Sequence, residues 1–169
     1  MEPESNQVIM MVDDDPDDYF IVREVLRENG FKNDFRLCAD GEELMDYLYR
    51  RGRYADEEKN PMPGIILLDL NMPKVDGRQV LAEIKEHQEL RHIPVIILTT
   101  SSDPLDIDIC YRTGANSYIE KPQSFEMLST VLTLAIKHWT QTTDLPAAEP
   151  GTNRPFWPGN VHFERYQES

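Results

Sequence analysis

The chain alternates short apolar blocks with longer stretches of helical period. "VIMMV" (8–12), "IILLDL" (65–70) and "VIILTT" (95–100) are nearly unbroken apolar runs, the pattern of strands buried on both faces of a parallel sheet. "DFRLCA" (34–39) and "SYIE" (117–120) are shorter strand candidates. Helix boundaries punctuate the segments between them. Asp15-Pro16 offers an N-cap followed by proline at the first helical position, opening a helix to about Asn29-Gly30. Asp40-Gly41 leads into "EELMDYLYRR", where Leu44, Tyr47 and Leu48 share a face. Asp76-Gly77 leads into "RQVLAEIKEH", with Val80, Leu81 and Ile84 at helical spacing. Ser102 or Asp103 caps "PLDIDICYRT", which Gly114 ends, and Ser124 caps "FEMLSTVLTLAIKHW".

Strand and helix alternate five times along this pattern. That predicts an α/β fold, a doubly wound parallel sheet of five strands with five helices and right-handed crossovers. The last helix is apolar beyond a single stripe: Leu128, Val131, Leu132, Ala135 and Trp139 make one face, and Met127 and Leu134 widen it. Such a helix is either deeply buried or pairs with another chain. Because it covers only one side of the sheet, a homodimer through the fourth helix, fifth strand and fifth helix is expected. After Trp139 the sequence becomes rich in Pro, Thr and small residues with no sustained period. The expected organisation is a domain over 1–139 and an extended tail over 140–169 without fixed structure. The tail's aromatics, Phe156, Trp157, Phe163 and Tyr166, are candidates for docking on a partner or on the domain.

Composition narrows the function classes. The 169 residues, 40% of them hydrophobic, suffice for one core with an appendage. A formal charge of −14 argues against binding a nucleic-acid backbone; it favours cationic partners, metal ions or simple solubility. Cys38 and Cys110 stand far apart with no metal-binding spacing, as buried thiols in a reducing compartment do. The N-terminus "MEPESNQ" does not have the form of a signal peptide, and no apolar run approaches membrane-spanning length. A soluble, cytoplasmic protein is expected.

The candidate chemistry lies at the strand ends, where ligands bind in open α/β sheets. "MMVDDDPDD" (10–18) ends the first strand in a cluster of carboxylates. Asp15 serves as helix cap, and Asp17 and Asp18 lie in the first turn, where the helix dipole favours negative charge. Asp13 and Asp14 remain at the strand end. Asp69 near the end of the third strand, Thr99 at the end of the fourth and Lys121 after the fifth converge on them. Three carboxylates that close demand a cation, and oxygen donors suit Mg²⁺, with Mn²⁺ as a substitute. Asp14 is expected to be the more direct ligand, with Asp13 acting mainly through water. A metal beside a carboxylate can cancel the charge of an incoming phosphoryl group, and the carboxylate can itself be the nucleophile. A lysine and a hydroxyl then supply donors to the phosphoryl oxygens. Taken singly, Asp69 is an ordinary strand-end carboxylate, Thr99 and Tyr118 are ordinary strand formers, and Lys121 is a surface charge.

Together, "VDD", "LLDLNMPKVDG", "VIILTTS" and "GANSYIEKP" closely resemble the receiver domain of bacterial response regulators, over roughly residues 7–139. The resemblance implies a flavodoxin-like sheet of order 2-1-3-4-5 and Asp69 as phosphoacceptor. It implies Asp13 and Asp14 as the acidic pair at a Mg²⁺ site, with Asp69 and the Asn71 backbone carbonyl as further ligands. Thr99 resembles the switch hydroxyl, Tyr118 the aromatic that moves inward with it, and Lys121 the phosphate-binding lysine, with a cis Lys121-Pro122 bond. Such a protein is not an enzyme in the ordinary sense. It takes a phosphoryl group from a sensor histidine kinase and signals by protein contact, to a downstream phosphotransfer or effector protein. The segment "YRRGRYADEEKNPMPG" and the terminal "HWTQTTDLP" are similar to the small regulators paired with cyanobacterial phytochrome kinases. Residues 140–169 are too few for a typical output domain. Thr100 departs from the alanine that many receivers carry after the switch threonine, which implies slower loss of the phosphoryl group. Two other classes compete: a receiver-fold binding module that works without phosphorylation, and a phosphohydrolase of related topology. The first conflicts with the intact Asp13, Asp14, Asp69, Thr99 and Lys121 set. The second lacks a second aspartate at D-x-D spacing, where Asn71 stands.

Overall fold

In the computed structural model, which describes residues 7–140, the elements follow in strict alternation. They are β1 (Val8–Val12), α1 (Pro16–Glu28), β2 (Phe35–Cys38), α2 (Gly41–Leu48), β3 (Pro63–Leu68), α3 (Gly77–Glu86), β4 (Val95–Thr99), α4 (Pro104–Thr113), β5 (Ser117–Glu120) and α5 (Phe125–Thr140). The strands form one parallel sheet in the order β2-β1-β3-β4-β5, as expected. The tail and its aromatics lie outside the described residues.

Successive strand residues point to opposite faces, and the two faces build two cores. Val8, Met10, Val12, Ile66, Leu68, Val95 and Ile97 pack against α2, α3 and α4 through Leu44, Val80, Leu81, Ile84 and Ile107. Ile9, Met11, Ile65, Leu67, Ile96 and Leu98 pack against α1 and α5 through Val22, Val25, Leu128, Leu132 and Ile136. This two-sided burial is why the central strands are continuous apolar runs. Cys38 and Cys110 are buried and free, on the first of these faces.

The helix starts are capped by side chains. Asp15, Asp40, Asp76 and Asp103 accept from the amides of Asp17, Glu43, Arg78 and Leu105, and Ser124 Oγ accepts from Met127 at 3.3 Å. Of the two candidates ahead of α4, Asp103 is the cap. Gly114 ends α4 at φ 121°, a backbone region that favours glycine. Between α2 and β3 the chain makes a 3₁₀ turn at Gly52–Tyr54. The Arg36 guanidinium donates to Lys59 O at 2.9 Å, Tyr47 Oη to Pro61 O at 2.7 Å and Arg50 to Asn60 O at 3.1 Å. These bonds pin that insertion beside the edge strand β2.

Two expectations need correction. α5 carries two stripes rather than one broad face: Leu128, Leu132, Ile136 and Trp139 are buried, whereas Met127, Val131 and Leu134 are exposed. The spacings i, i+4, i+8, i+11 and i, i+4, i+7 place these sets on adjacent sides of a 3.6-residue helix, so Val131 belongs with the second. The Lys121-Pro122 bond is trans, since the described residues contain no cis peptide bond; trans is the intrinsically favoured form even before proline.

One glycine fixes how closely α3 approaches the site. Gly77 N donates to Leu70 O at 3.0 Å. A Cβ there would stand 2.7 Å from Leu70 Cα and closer still to the Asp69 carbonyl oxygen. Gly77→Ala is therefore expected to lower stability by about 1–3 kcal/mol, the usual cost of overpacking against fixed backbone. Urea unfolding monitored by tryptophan fluorescence measures it, and an unchanged midpoint would contradict the contact.

Candidate functional site

Backbone pairing between β1 and β3 sets Val12 beside Leu68, so the next residues, Asp13 and Asp69, emerge side by side. Asp69 N donates to Val12 O at 3.0 Å and Asp13 N to Cys38 O at 3.1 Å, extending the ladders past the strand ends. Both carboxylates are buried, Asp13 at 1% and Asp69 at 8% exposure, while Asp14 is exposed. One oxygen from each of Asp13, Asp14 and Asp69 lies within 4.8 Å of the others.

Lys121 arrives from the opposite edge of the sheet, just past β5. Its amide donates to Thr99 O at 2.7 Å, which aims the side chain across the carboxyl ends of the strands. The ammonium donates to Asp13 at 2.8 Å, Asp18 at 2.7 Å and Asp69 at 3.4 Å. Burial alone would push this lysine down; hydrogen bonds to Asp13 and Asp18 and the charges of Asp13 and Asp69 outweigh it and hold the group above its ordinary range. Burial raises Asp13 above the usual carboxylate range, opposed by the Lys121 hydrogen bond and the Asp15 amide. The site thus holds more negative charge than one ammonium neutralises.

The donor set fits a hard divalent cation: clustered carboxylate oxygens, with Asp14 open to water for the retained hydration shell. Asn71 is exposed, and its amide donates to Asp69 Oδ1 at 3.3 Å. Thr99 is fully buried, and its Oγ1 accepts from Ser101 N at 3.4 Å. The Tyr118 ring is buried at 7% exposure, its hydroxyl donating to Ser101 O at 2.8 Å, and burial pushes the phenol up to about 12. The aromatic expected to move inward is already inside.

Two contributors escaped the sequence reading. Asp18 holds Lys121, although its place in the first turn of α1 is fully explained by the helix dipole. Ser101 touches both Thr99 and Tyr118, mostly through its backbone. No residue-type signal marks a backbone acceptor.

A carboxylate cluster beside a half-buried lysine, at the carboxyl end of a 2-1-3-4-5 sheet, lies where ligands bind in open α/β folds. The response regulator receiver domain family matches residues 9–133, and the chain belongs to that family. It is 39% identical to the response regulator Rcp1 of Synechocystis sp. over 150 residues, covering 88% of this chain and all of that one. The Mn²⁺-bound form of Rcp1 superposes with a TM-score of 0.74 at 38% identity, covering 83% of this chain and 99% of that one. The phosphorylated cyanobacterial phytochrome response regulator RcpA gives 0.76 at 37% identity, with the same coverage. The chain is therefore a receiver-domain response regulator homologous to the phytochrome response regulators. Among the described residues no helix is long and apolar enough to cross a membrane.

A cation held by this cluster should stabilise the fold by about 2.7 kcal/mol once free Mg²⁺ reaches roughly a hundred times its Kd. Asp14→Asn removes one like charge, so its melting temperature in EDTA should equal or exceed that of the wild type. Its gain on adding Mg²⁺ should largely vanish. Calorimetric melts with and without Mg²⁺ measure both, and an undiminished gain in the variant would remove Asp14 from the site.

Proposed function

We propose that this chain is a single-domain response regulator that accepts a phosphoryl group on Asp69 from a sensor histidine kinase. The observation that carries the reading is the Asp69 carboxylate itself, which shares its crevice with Asp13, Asp14 and the Lys121 ammonium. An Asp69 oxygen forms the new P–O bond as the P–N bond to the kinase histidine breaks, and the electron pair leaves with the imidazole nitrogen. Lys121 exchanges its weak bond to Asp69 for one to a phosphoryl oxygen. Thr99 supplies a hydroxyl donor from the neighbouring strand end. A bound Mg²⁺, or Mn²⁺, would offset the charge of the incoming group, held by Asp13, Asp14, Asp69 and the Asn71 carbonyl. Thr100, exposed beside Thr99, narrows the path of water and lengthens the phosphorylated state.

The likeness to Rcp1 and RcpA supports a phytochrome-type kinase as donor, in the cytoplasm. Beside Lys121 a groove of about 300 Å³ is lined by Ile21, Val22, Pro122, Phe125 and Leu128, and exposed Ile21 and Phe125 give a partner apolar purchase near Asp69. Output is by protein contact. Leu105 and Ile109 on α4, with Met127, Val131 and Leu134 on α5, are exposed apolar side chains on the two helices that flank β5, and we assign this α4–β5–α5 surface to a homodimer.

Incubation with Mg²⁺ and a small phosphodonor, followed by phosphate-affinity electrophoresis, tests the reading. Stoichiometric labelling that is lost in Asp69→Asn is expected. No labelling would leave a phosphorylation-independent binding module, and continuous phosphate release without a stable label would make the chain a phosphohydrolase. Light scattering on the same samples should give two copies, and a monomer in both states would remove the dimer.

A further inference from the structure

Ser101, in the loop after β4, spends every polar group it has on the switch and its surroundings. Its amide donates to Thr99 Oγ1 at 3.4 Å and its carbonyl accepts from Tyr118 Oη at 2.8 Å. Its hydroxyl donates to Asp106 Oδ2 at 2.6 Å. It is thus in contact with both residues assigned to the switch, and its side chain is tied to a third group that has no part in phosphoryl chemistry. Asp106 stands in the first turn of α4 and is in turn clamped by α3. Arg78 Nε donates to Asp106 Oδ1 at 2.8 Å and Arg78 Nη2 lies 2.6 Å from the same oxygen. Arg78 Nη1 reaches back to Asp76 Oδ2 at 2.9 Å, and Asp76 caps α3 through the Arg78 amide at 2.7 Å. The α3 start rests on the Asp69 carbonyl through Gly77.

A chain of contacts therefore runs from the backbone of Asp69, through Asp76, Arg78, Asp106 and Ser101, to Thr99 and Tyr118. Its ion pair is not a solvent-bathed surface pair: the Arg78 and Asp106 side chains are 26% and 15% exposed, and such sheltered, charge-assisted bonds hold geometry more firmly than exposed ones. The Ser101 hydrogen bond, followed by Arg78, holds the Asp106 carboxyl below its usual range, so it stays a charged acceptor.

We propose that Arg78 and Asp106 are positioning residues for the phosphorylation switch, fixing the Ser101 loop so that its carbonyl receives the Tyr118 hydroxyl before any phosphoryl group arrives. The part concerning phosphorylation rests on Asp69 as phosphoacceptor; the part concerning Tyr118 does not. A chain whose tyrosine is already held inside has part of the conformational cost of phosphorylation removed in advance. Whatever releases the loop lowers the population of the competent form and slows phosphorylation in proportion.

The full chain labelled with 3-fluorotyrosine tests this, its Tyr118 ¹⁹F resonance assigned by Tyr118→Phe. Ser101→Ala removes the hydroxyl's bonds to Asp106 and to the Asp103 amide at 3.3 Å and leaves the Arg78–Asp106 pair in place. It should shift or broaden the Tyr118 resonance with little change in melting temperature, and Ser101→Thr should restore it. Asp106→Asn should move the same resonance, and the double variant Ser101→Ala/Asp106→Asn should move it no further than Ser101→Ala does, since Asp106 reaches the loop through that hydroxyl. With Mg²⁺ and a small phosphodonor, Ser101→Ala should label about three- to tenfold more slowly than wild type, the range that coupling networks typically carry. A Tyr118 resonance unmoved in Ser101→Ala would overturn the proposal and leave Arg78–Asp106 as a clamp between helices. Failure of every chain to label, wild type included, would overturn the assignment of Asp69 instead, because the tyrosine measurement needs no phosphoryl group.

Discussion

Two carboxylates at the ends of adjacent buried strands cannot stay charged side by side without a cation, and here the resident cation is the Lys121 ammonium. Asp13 and Asp69 are forced together by the β1–β3 register, which no side-chain rearrangement can undo. Asp14 and Asp18 add further charge around them. One lysine bonded to Asp13, Asp18 and Asp69 satisfies its own donors while leaving the cluster short of positive charge. That imbalance is what makes the crevice receptive to a divalent ion.

The sheet order decides which residues meet in this balance. β1 and β3 lie at the centre and deliver acids; β4 and β5 lie to one side and deliver the hydroxyl and the lysine. A parallel sheet points every carboxyl end the same way, so five sequence-distant turns share one rim. The same arrangement puts Thr99 and Tyr118 on neighbouring strands, where the loop after β4 can bridge them. Partly buried polar contacts thereby link Thr99 at the rim to Tyr118 on β5.

Much of this was legible in the sequence because it is written in local patterns. The unbroken apolar runs named three strands, Asp15 was readable as a cap, Asp40-Gly41 and Asp76-Gly77 marked two more helix starts, Asp103 was one of two candidates for a fourth, and the acids fell at strand ends by position alone. Strand ends were less well marked: "IILLDL" runs on through Asp69 and Leu70, whereas β3 stops at Leu68, with the Asp69 amide still bonded to Val12 O. Contacts set by tertiary packing were not readable. Asp18 had a sufficient local explanation in the helix dipole, Ser101 acts largely through its backbone, and Arg78 and Asp106 sit on different helices 28 positions apart. The split of α5 into a buried and an exposed stripe likewise depends on how the sheet meets the helix, since both stripes are equally apolar.

Lys121 is bonded to the same carboxylates that would hold a divalent cation, so the two should compete. Calorimetric titration of Mg²⁺ into wild type and Lys121→Ala tests it most directly. Removing the ammonium frees Asp13 and Asp69 and deepens the negative potential, so the variant should bind Mg²⁺ about tenfold more tightly, a change of about 1.4 kcal/mol. Equal or weaker binding in Lys121→Ala would contradict the account, because the lysine would then be a support for the metal site and not its rival.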